Sequence, residues 1–333
     1  MWCYFDNKKG EKMNSTLKYI LQRLLLMIAT LFIITFICFT LIRMLPLPPL
    51  DPSDSANYYI VMKRREAAGY NLPKIVQFGI YLKGIFTQGT FGVSDKLYFG
   101  QEVWSVFVQK LPATVLVNLY SIILSIPIGI FFGIIAAMKK NTMVDHTIST
   151  LVMVFISLPS FVFAFLVQYL LCYKLQWFDF LMKAGTDYFS WEMFKSMLPA
   201  VLSLSFGVIA SFTRTTRAEL TEVLTSDFML LARTKGLTKR QATTRHALHN
   251  CMVVILPAIM GEFISIMSGS LIIEDIFSIP GVGNLYLESI NGRDYNMFML
   301  DTIFYTTIGL LAGIVVDISY GLIDPRIRMG SVK

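Results

Sequence analysis

Six apolar runs, separated by polar turns and one long polar segment, limit what this chain can become. They cover residues 19–45, 112–138, 147–173, 197–212, 251–273 and 301–323. All but the short fourth run reach the roughly 20 residues that a helix needs to cross a bilayer core of about 30 Å. Hydrocarbon offers no partner to a free peptide group, so each run must satisfy its own backbone, which a helix does. The expected fold class is an all-α membrane protein with six transmembrane helices. Composition agrees: 55% of residues are hydrophobic and only 15% charged, whereas a soluble domain carries about a quarter charged residues. The first run is retained and not a cleaved signal, because Arg43, Met44, Leu45 and Pro46 follow it where a cleavage site needs small residues.

The net charge of +7 invites a nucleic-acid reading, and its distribution argues against one. Lys and Arg number about 16 over the N-terminus, the 138–146 turn, the 213–250 loop and the C-terminal tail, against about four in the 174–196 and 274–300 loops. By the positive-inside rule both termini and the 213–250 loop face the cytosol, and the long 46–111 segment lies outside. The basic charge is a topology signal; the partner it implies is the lipid bilayer, and no nucleic acid is expected. The chain divides into a cytoplasmic tail (1–18), a first helix (19–45), an extracytoplasmic loop (46–111), a five-helix core (112–323) and a cytoplasmic tail (324–333). Proline and aromatic residues suggest that the 46–111 loop is an ordered cap. Pro112 suits the start of the second helix, Pro199 stands near the start of the fourth, and Pro127, Pro159 and Pro257 should bend the spans that contain them.

Sites for chemistry are sparse. There is no G-x-x-x-x-G-K-[ST], so no nucleotide or other cofactor is expected on this chain. His246 and His249 have the i, i+3 spacing of a metal pair, but no H-E-x-x-H or cysteine accompanies them, so no metal site is expected. Cys3, Cys38, Cys172 and Cys251 lack framework spacing and read as inert thiols. No Ser-His-Asp or Cys-His set is present, which leaves no case for an enzyme. Two acids lie well inside the apolar runs, Glu262 and Asp317, where burial makes them functional candidates. Asp317 is expected to pair with a cation on a neighbouring helix.

The basic loop carries a local design. Thr225 or Ser226 can cap a short helix, with Asp227 in its first turn. Phe228, Leu231 and Ala232 then give it one apolar face. Gly236 falls where a left-handed residue would end it, and Thr238 with Gln241 forms a capping box for the next helix.

Its wording, ARTKGLTKRQATTRHALHN, resembles the cytoplasmic coupling loop of ABC-importer permeases in the oligopeptide and dipeptide branch. Leu230, Leu231 and Ala232 hold the positions of a Glu-Ala-Ala triplet, and His246, Leu248 and His249 hold positions of the later group. LKYILQRLLL at the first span, GTFGVSD at 89–95 and YGLIDPRIR at 320–328 resemble further motifs of the same family. So do Glu274, Phe277, Pro280, Gly281 and Gly283, followed by Arg293, Asp294 and Tyr295, with Asn296 where relatives often carry proline. PLPPLDP matches the family's Pro-Gly-Asp-Pro only in part, and Met13 is a candidate start because relatives usually begin a few residues before the first span. The resemblance implies a bacterial cytoplasmic membrane and a heterodimer with a second permease. It also implies two cytosolic ATPase subunits that use the ATP, and an external substrate-binding protein. It assigns ATPase coupling to Ser226, Asp227, Phe228, Leu231, Ala232, Arg233, Lys235, Gly236 and Leu237. Binding-protein contact falls to Phe277, Pro280, Gly281, Gly283, Arg293 and Asp294, and Glu262 is a candidate to line the cavity and meet a peptide amine. A nickel-chelate permease of the same family, an ion-coupled secondary transporter and a membrane scaffold are the alternatives.

Overall fold

A computed structural model describes residues 2–46, 55–183, 185, 187–265 and 270–323. Among the described residues the chain is helical, with one isolated bridge between Val93 and Glu102 in place of any strand. The proline cluster from residue 47 and the D-P-R-x-R motif after residue 323 lie outside the described residues.

Helix α1 (Trp2–Met44) is continuous through the expected N-terminal tail, and its apolar part, Ile20–Met44, is the first candidate span. The cap contains two helices, α2 (Ser55–Ala67) and α3 (Lys74–Lys83). Phe78 of α3 stacks edge-on against Phe32 and Phe36 of α1, so the cap leans on the first span. Helix α4 (Val103–Met138) starts nine residues before the apolar run does, and Pro112 sits inside it, not at its start. The early start buries Val103, Val106 and Phe107 against Val282, Leu285, Met297 and Leu300. Those contacts are with residues 282–300, far along the chain, so no local pattern announces them.

The third run is not one straight span. It forms α5 (Met143–Ser157) and α6 (Ser160–Val167), the latter prolonged by a wider turn over Gln168–Lys174. The two halves meet at 100°. The cause is Pro159: the residue before a proline is pushed out of the helical region, and Leu158 is extended at φ −92°, ψ 131°. Helix α7 (Trp191–Leu224) is far longer than the 197–212 run, with the Ser190 hydroxyl capping it by accepting from the Met193 amide at 3.2 Å. Pro199 is therefore eight residues inside. At 1.5 Å per residue α7 is about 50 Å long, so it outruns the bilayer and takes up the first dozen residues of the expected loop. Then follow α8 (Asp227–Thr234), α9 (Lys239–Ala242), α10 (Leu248–Ser265), α11 (Leu271–Ile276), α12 (Val282–Asn291) and α13 (Tyr295–Ile323). Among the described residues five helices are long and apolar enough to cross a membrane, six counting the bent pair as one.

Helices α4 and α7 form the spine of the bundle. Their contact is made by small residues. A Cβ added at Gly129 would lie 2.7 Å from Phe212 Cβ, and one at Gly133 would lie 2.8 Å from the Thr213 carbonyl. The Thr213 hydroxyl donates to the Gly129 carbonyl at 3.1 Å, and the hydroxyls of Ser121 and Ser205 meet at 3.2 Å. Between membrane helices the hydrophobic effect gives no preference for contact, so close approach and hydroxyl bonds supply the attraction. Helix α13 packs on α10 and α1 and closes the bundle.

Candidate functional site

Helix α8 sits at one end of the bundle, and its eight residues split between two faces. Met229 and Ala232 are buried against Leu220, Ala242, Ala247 and Cys251, which anchors the helix to α7 and α10. Phe228, Leu230 and Leu231 point away, 39%, 64% and 56% exposed. The expected face of Phe228, Leu231 and Ala232 is thus corrected: Ala232 belongs to the anchor, and Leu230 takes its place outside. Ser226 stands at the N-cap with extended backbone, but its hydroxyl donates back to the Val223 carbonyl at 2.6 Å and leaves the helix amides alone. Asp227 lies in the first turn as expected.

The end of α8 follows its sequence closely. Gly236 is left-handed at φ +88°. Its amide donates to the Arg233 carbonyl and the Leu237 amide to the Ala232 carbonyl, the paired bonds of a Schellman motif. Leu237 then packs back on the anchor cluster. Gln241 donates its amide to the Thr238 hydroxyl at 3.3 Å, and the Thr238 amide donates to Gln241 Oε1 at 3.1 Å, which completes the capping box. A rigid stop thus holds three apolar side chains outward, with Arg233 and Lys235 exposed beside them. A cleft of about 270 Å³ lies alongside, between Met138, Thr221, Leu224 and Met229.

This end is tied to the bundle by an ion pair that the sequence did not announce. Arg217 of α7 grips Asp145 of α5 with two nitrogens, and the carboxylate also accepts from the Asn141 amide at 2.9 Å and the Ser149 hydroxyl at 3.3 Å. Asp145 is 1% exposed. A buried carboxylate needs such a full set of partners, and they fasten the 138–146 turn to α7.

At the opposite end two separate motifs form one unit. Asp294 accepts from the Ser94 hydroxyl and from the amides of Lys96 and Leu97, and caps α13 by accepting from the Met297 amide. Asn296 donates to the Val93 carbonyl at 2.9 Å, a bond that a proline there could not make. The Tyr295 hydroxyl donates to the Pro46 carbonyl at 3.0 Å. GTFGVSD and Arg293-Asp294-Tyr295 are therefore two halves of a clasp holding the cap loop on the last helix.

Glu274 makes a second clasp. It is 2% exposed and accepts from the Thr114 hydroxyl at 2.8 Å and the Asn284 amide at 3.0 Å. Burial pushes its carboxyl upward, against the pull of these donors. Gly281 and Gly283 are glycines because the carboxylate lies against them; a Cβ at Gly283 would meet Glu274 Oε2 at 2.8 Å. Phe277 is 1% exposed in a cluster with Ile273, Ile279, Met193 and Met197. Of the residues expected to touch an external partner, Phe277, Gly281, Gly283 and Asp294 are buried within this chain, Pro280 is half-buried and Arg293 is exposed.

Among the span acids, Asp317 pairs with Arg23 of α1 at 2.9 Å, the cation on another helix that was expected. Glu262 is half-buried on α10. The apolar run puts Asp301 at the edge of the sixth span; with α13 beginning at Tyr295 it lies inside, fully buried, with neither carboxylate oxygen hydrogen-bonded among the described residues.

These features define a multi-pass, all-α membrane protein that presents a short, rigidly stopped apolar helix at one end and a clasped cap at the other. The chain belongs to the family described as binding-protein-dependent transport system inner membrane component, whose model matches residues 129–329. It is 34% identical to the dipeptide transport system permease protein DppB of Lactococcus lactis over 94% of this chain and 99% of that protein. It is 33% identical to DppB of Bacillus subtilis (94% and 98%) and 34% identical to the oligopeptide transport system permease protein OppB of Salmonella typhimurium (94% and 99%).

Proposed function

We propose that this chain is a permease subunit of an ATP-driven importer that carries dipeptides or oligopeptides delivered by an external binding protein. The observation that supports this reading best is α8. Three adjacent large apolar side chains held outward on a polar, basic end of a membrane bundle have no use unless another protein covers them. In the proposal that end faces the cytosol and α8 seats in a groove of an ATPase subunit. A second, homologous permease completes the pathway, and two ATPase subunits hydrolyse the ATP. Phe228, Leu230 and Leu231 make the apolar contact, and Arg233 and Lys235 the polar rim. Ser226, Asp227, Gly236 and Leu237 shape the helix that presents them, and Ala232 anchors it. The external binding protein meets Pro280, Arg293 and the outer surface of α2 and α3; Phe277, Gly281, Gly283 and Asp294 support that surface from within. Glu262 is kept as a residue beside the pathway.

Two expected results test the reading. Purified alone, the chain hydrolyses no ATP above a blank preparation; co-expressed with the ATPases of a peptide importer, it retains them through purification. Hydrolysis surviving removal of every partner would refute the assignment. The orientation is read by thiol labelling in a variant without the native cysteines. Gln88→Cys in the cap should react with an impermeant reagent in intact cells, and Thr238→Cys should react only after the membrane is opened. Both positions are exposed, whereas the nearby Ser94 is fully buried and would report burial instead of side. The reverse pattern inverts the topology.

A further inference from the structure

Two concave faces of the bundle differ in a way that separates lipid from water. One, along α1, is walled by Leu21, Leu25, Ile28, Phe32 and Ile33 with no polar side chain. The other runs between α5 and α7 and encloses about 510 Å³. Its wall mixes Val152 and Met153 with Ser149, Ser157, Thr213 and Arg214. Polar and charged groups facing hydrocarbon are costly, and in membrane proteins they turn to a partner or a water-filled path. The first face suits lipid; the second does not.

Within the second groove most polar groups are already committed. Arg217 and Ser149 serve Asp145, and Thr213 donates to Gly129. Arg214 is exposed and enters no ion pair among the described residues. It lies three residues before Arg217, about 4.5 Å further along the helix toward the membrane interior. The groove volume is within the roughly 300–1,000 Å³ of small-molecule sites. Apart from Ser157, its other side chains are apolar, with a methionine that adapts to varied shapes.

We propose that this groove is a peptide subsite near the inner mouth of the pathway, where the Arg214 guanidinium holds the C-terminal carboxylate of the passing peptide. The inference rests on the peptide-importer reading. A guanidinium offers a carboxylate two parallel hydrogen bonds, and the terminal carboxylate is common to all unmodified peptides whatever their side chains. A fixed cation beside an adaptable apolar wall therefore serves a carrier that accepts many sequences.

The test uses the purified permease–ATPase complex without the external binding protein, so that the binding protein's own preferences do not enter. A fluorescent tripeptide is offered as free acid and as C-terminal amide to the wild type, Arg214→Gln and Arg214→Lys. The wild type should bind the acid about tenfold more tightly than the amide. Arg214→Gln should bring the acid to the amide's affinity and leave the amide unchanged, and Arg214→Lys should fall between. Equal affinity for acid and amide in the wild type, or an equal loss for both in Arg214→Gln, overturns the proposal. Repetition in nanodiscs with and without anionic lipid distinguishes a headgroup site: an acid preference that vanishes with anionic lipid, together with less lipid retained by Arg214→Gln, also overturns it. Peptide uptake by the wild-type transporter in proteoliposomes is measured separately. Its failure removes the underlying reading, whereas uptake with no Arg214 effect removes only this subsite.

Discussion

Replacing Leu231 by aspartate should abolish uptake by the proposed transporter while the chain still reaches the membrane. Leu231 is 56% exposed, so its contacts within the chain are few and its loss leaves the bundle intact. Covering a leucine is worth about 1.5–3 kcal/mol, of which roughly half remains to be gained on docking. A carboxylate in its place forfeits that gain and adds a desolvation penalty of several kcal/mol with no partner to offset it. A total of about 3 kcal/mol or more weakens the ATPase contact over a hundredfold. The measurement is co-purification of ATPase together with peptide uptake; wild-type values of both would make α8 an ordinary basic loop. Gly236→Val is the companion. A Cβ there meets nothing within 4 Å, so any loss comes from forcing a β-branched residue into φ +88°. Gly236→Asn, which tolerates that region, should retain most activity.

The second large effect is expected at Gly133. A leucine there would drive its Cβ into the Thr216 side chain and to 2.8 Å from the Thr213 carbonyl, a backbone atom that cannot turn aside. The α4–α7 contact would have to open along several turns, taking with it the Thr213 bond to Gly129 and the Ser121–Ser205 pair. Overpacking of this kind costs about 1–3 kcal/mol where neighbours can shift, and more where backbone blocks the way. Gly133→Leu should therefore give a protein that inserts but aggregates in detergent, with no uptake. Gly207→Ala on α7 is the control: nothing lies within 4 Å of its Cβ, so the change should be neutral or raise the melting temperature slightly. Equal thermal stability of the Gly133 variant and the wild type would remove α4–α7 as the spine.

Local chemistry was legible and distant chemistry was not. The Schellman stop at Gly236, the capping box at Thr238 and Gln241, and the bend at Pro159 each involve residues within a turn or two, and each is found in the structure. Apolar runs marked the spans because a bilayer demands them wherever they occur. The polar extensions of α4 and α7 give no hydropathy signal, because helix there is stabilised by contacts with remote segments. The Ser226 hydroxyl was free to choose between two nearby partners, and the sequence does not rank them. Asp294, Gly281 and Gly283 carry a strong motif signal, which in a loop points to the surface. Their partners, Ser94 and Thr114, come from other parts of the chain, so the pattern alone could not show that the motif is internal. Arg217 and Asp145 look like two more basic-side charges until the fold brings them together.

The clasp between Ser94 and Asp294 joins residues 200 positions apart. On a ribosome adding about 5–20 residues per second, the second half emerges some 10–40 seconds after the first. Throughout that interval the cap has its helices but not its fastener, and the Ser94 loop has no carboxylate to receive its amides. The clasped end of the bundle is thus finished late, only when α13 has followed the cap off the ribosome. Chains interrupted before residue 294 should insert and yet keep a protease-sensitive cap, and sensitivity should disappear once α13 has joined the bundle.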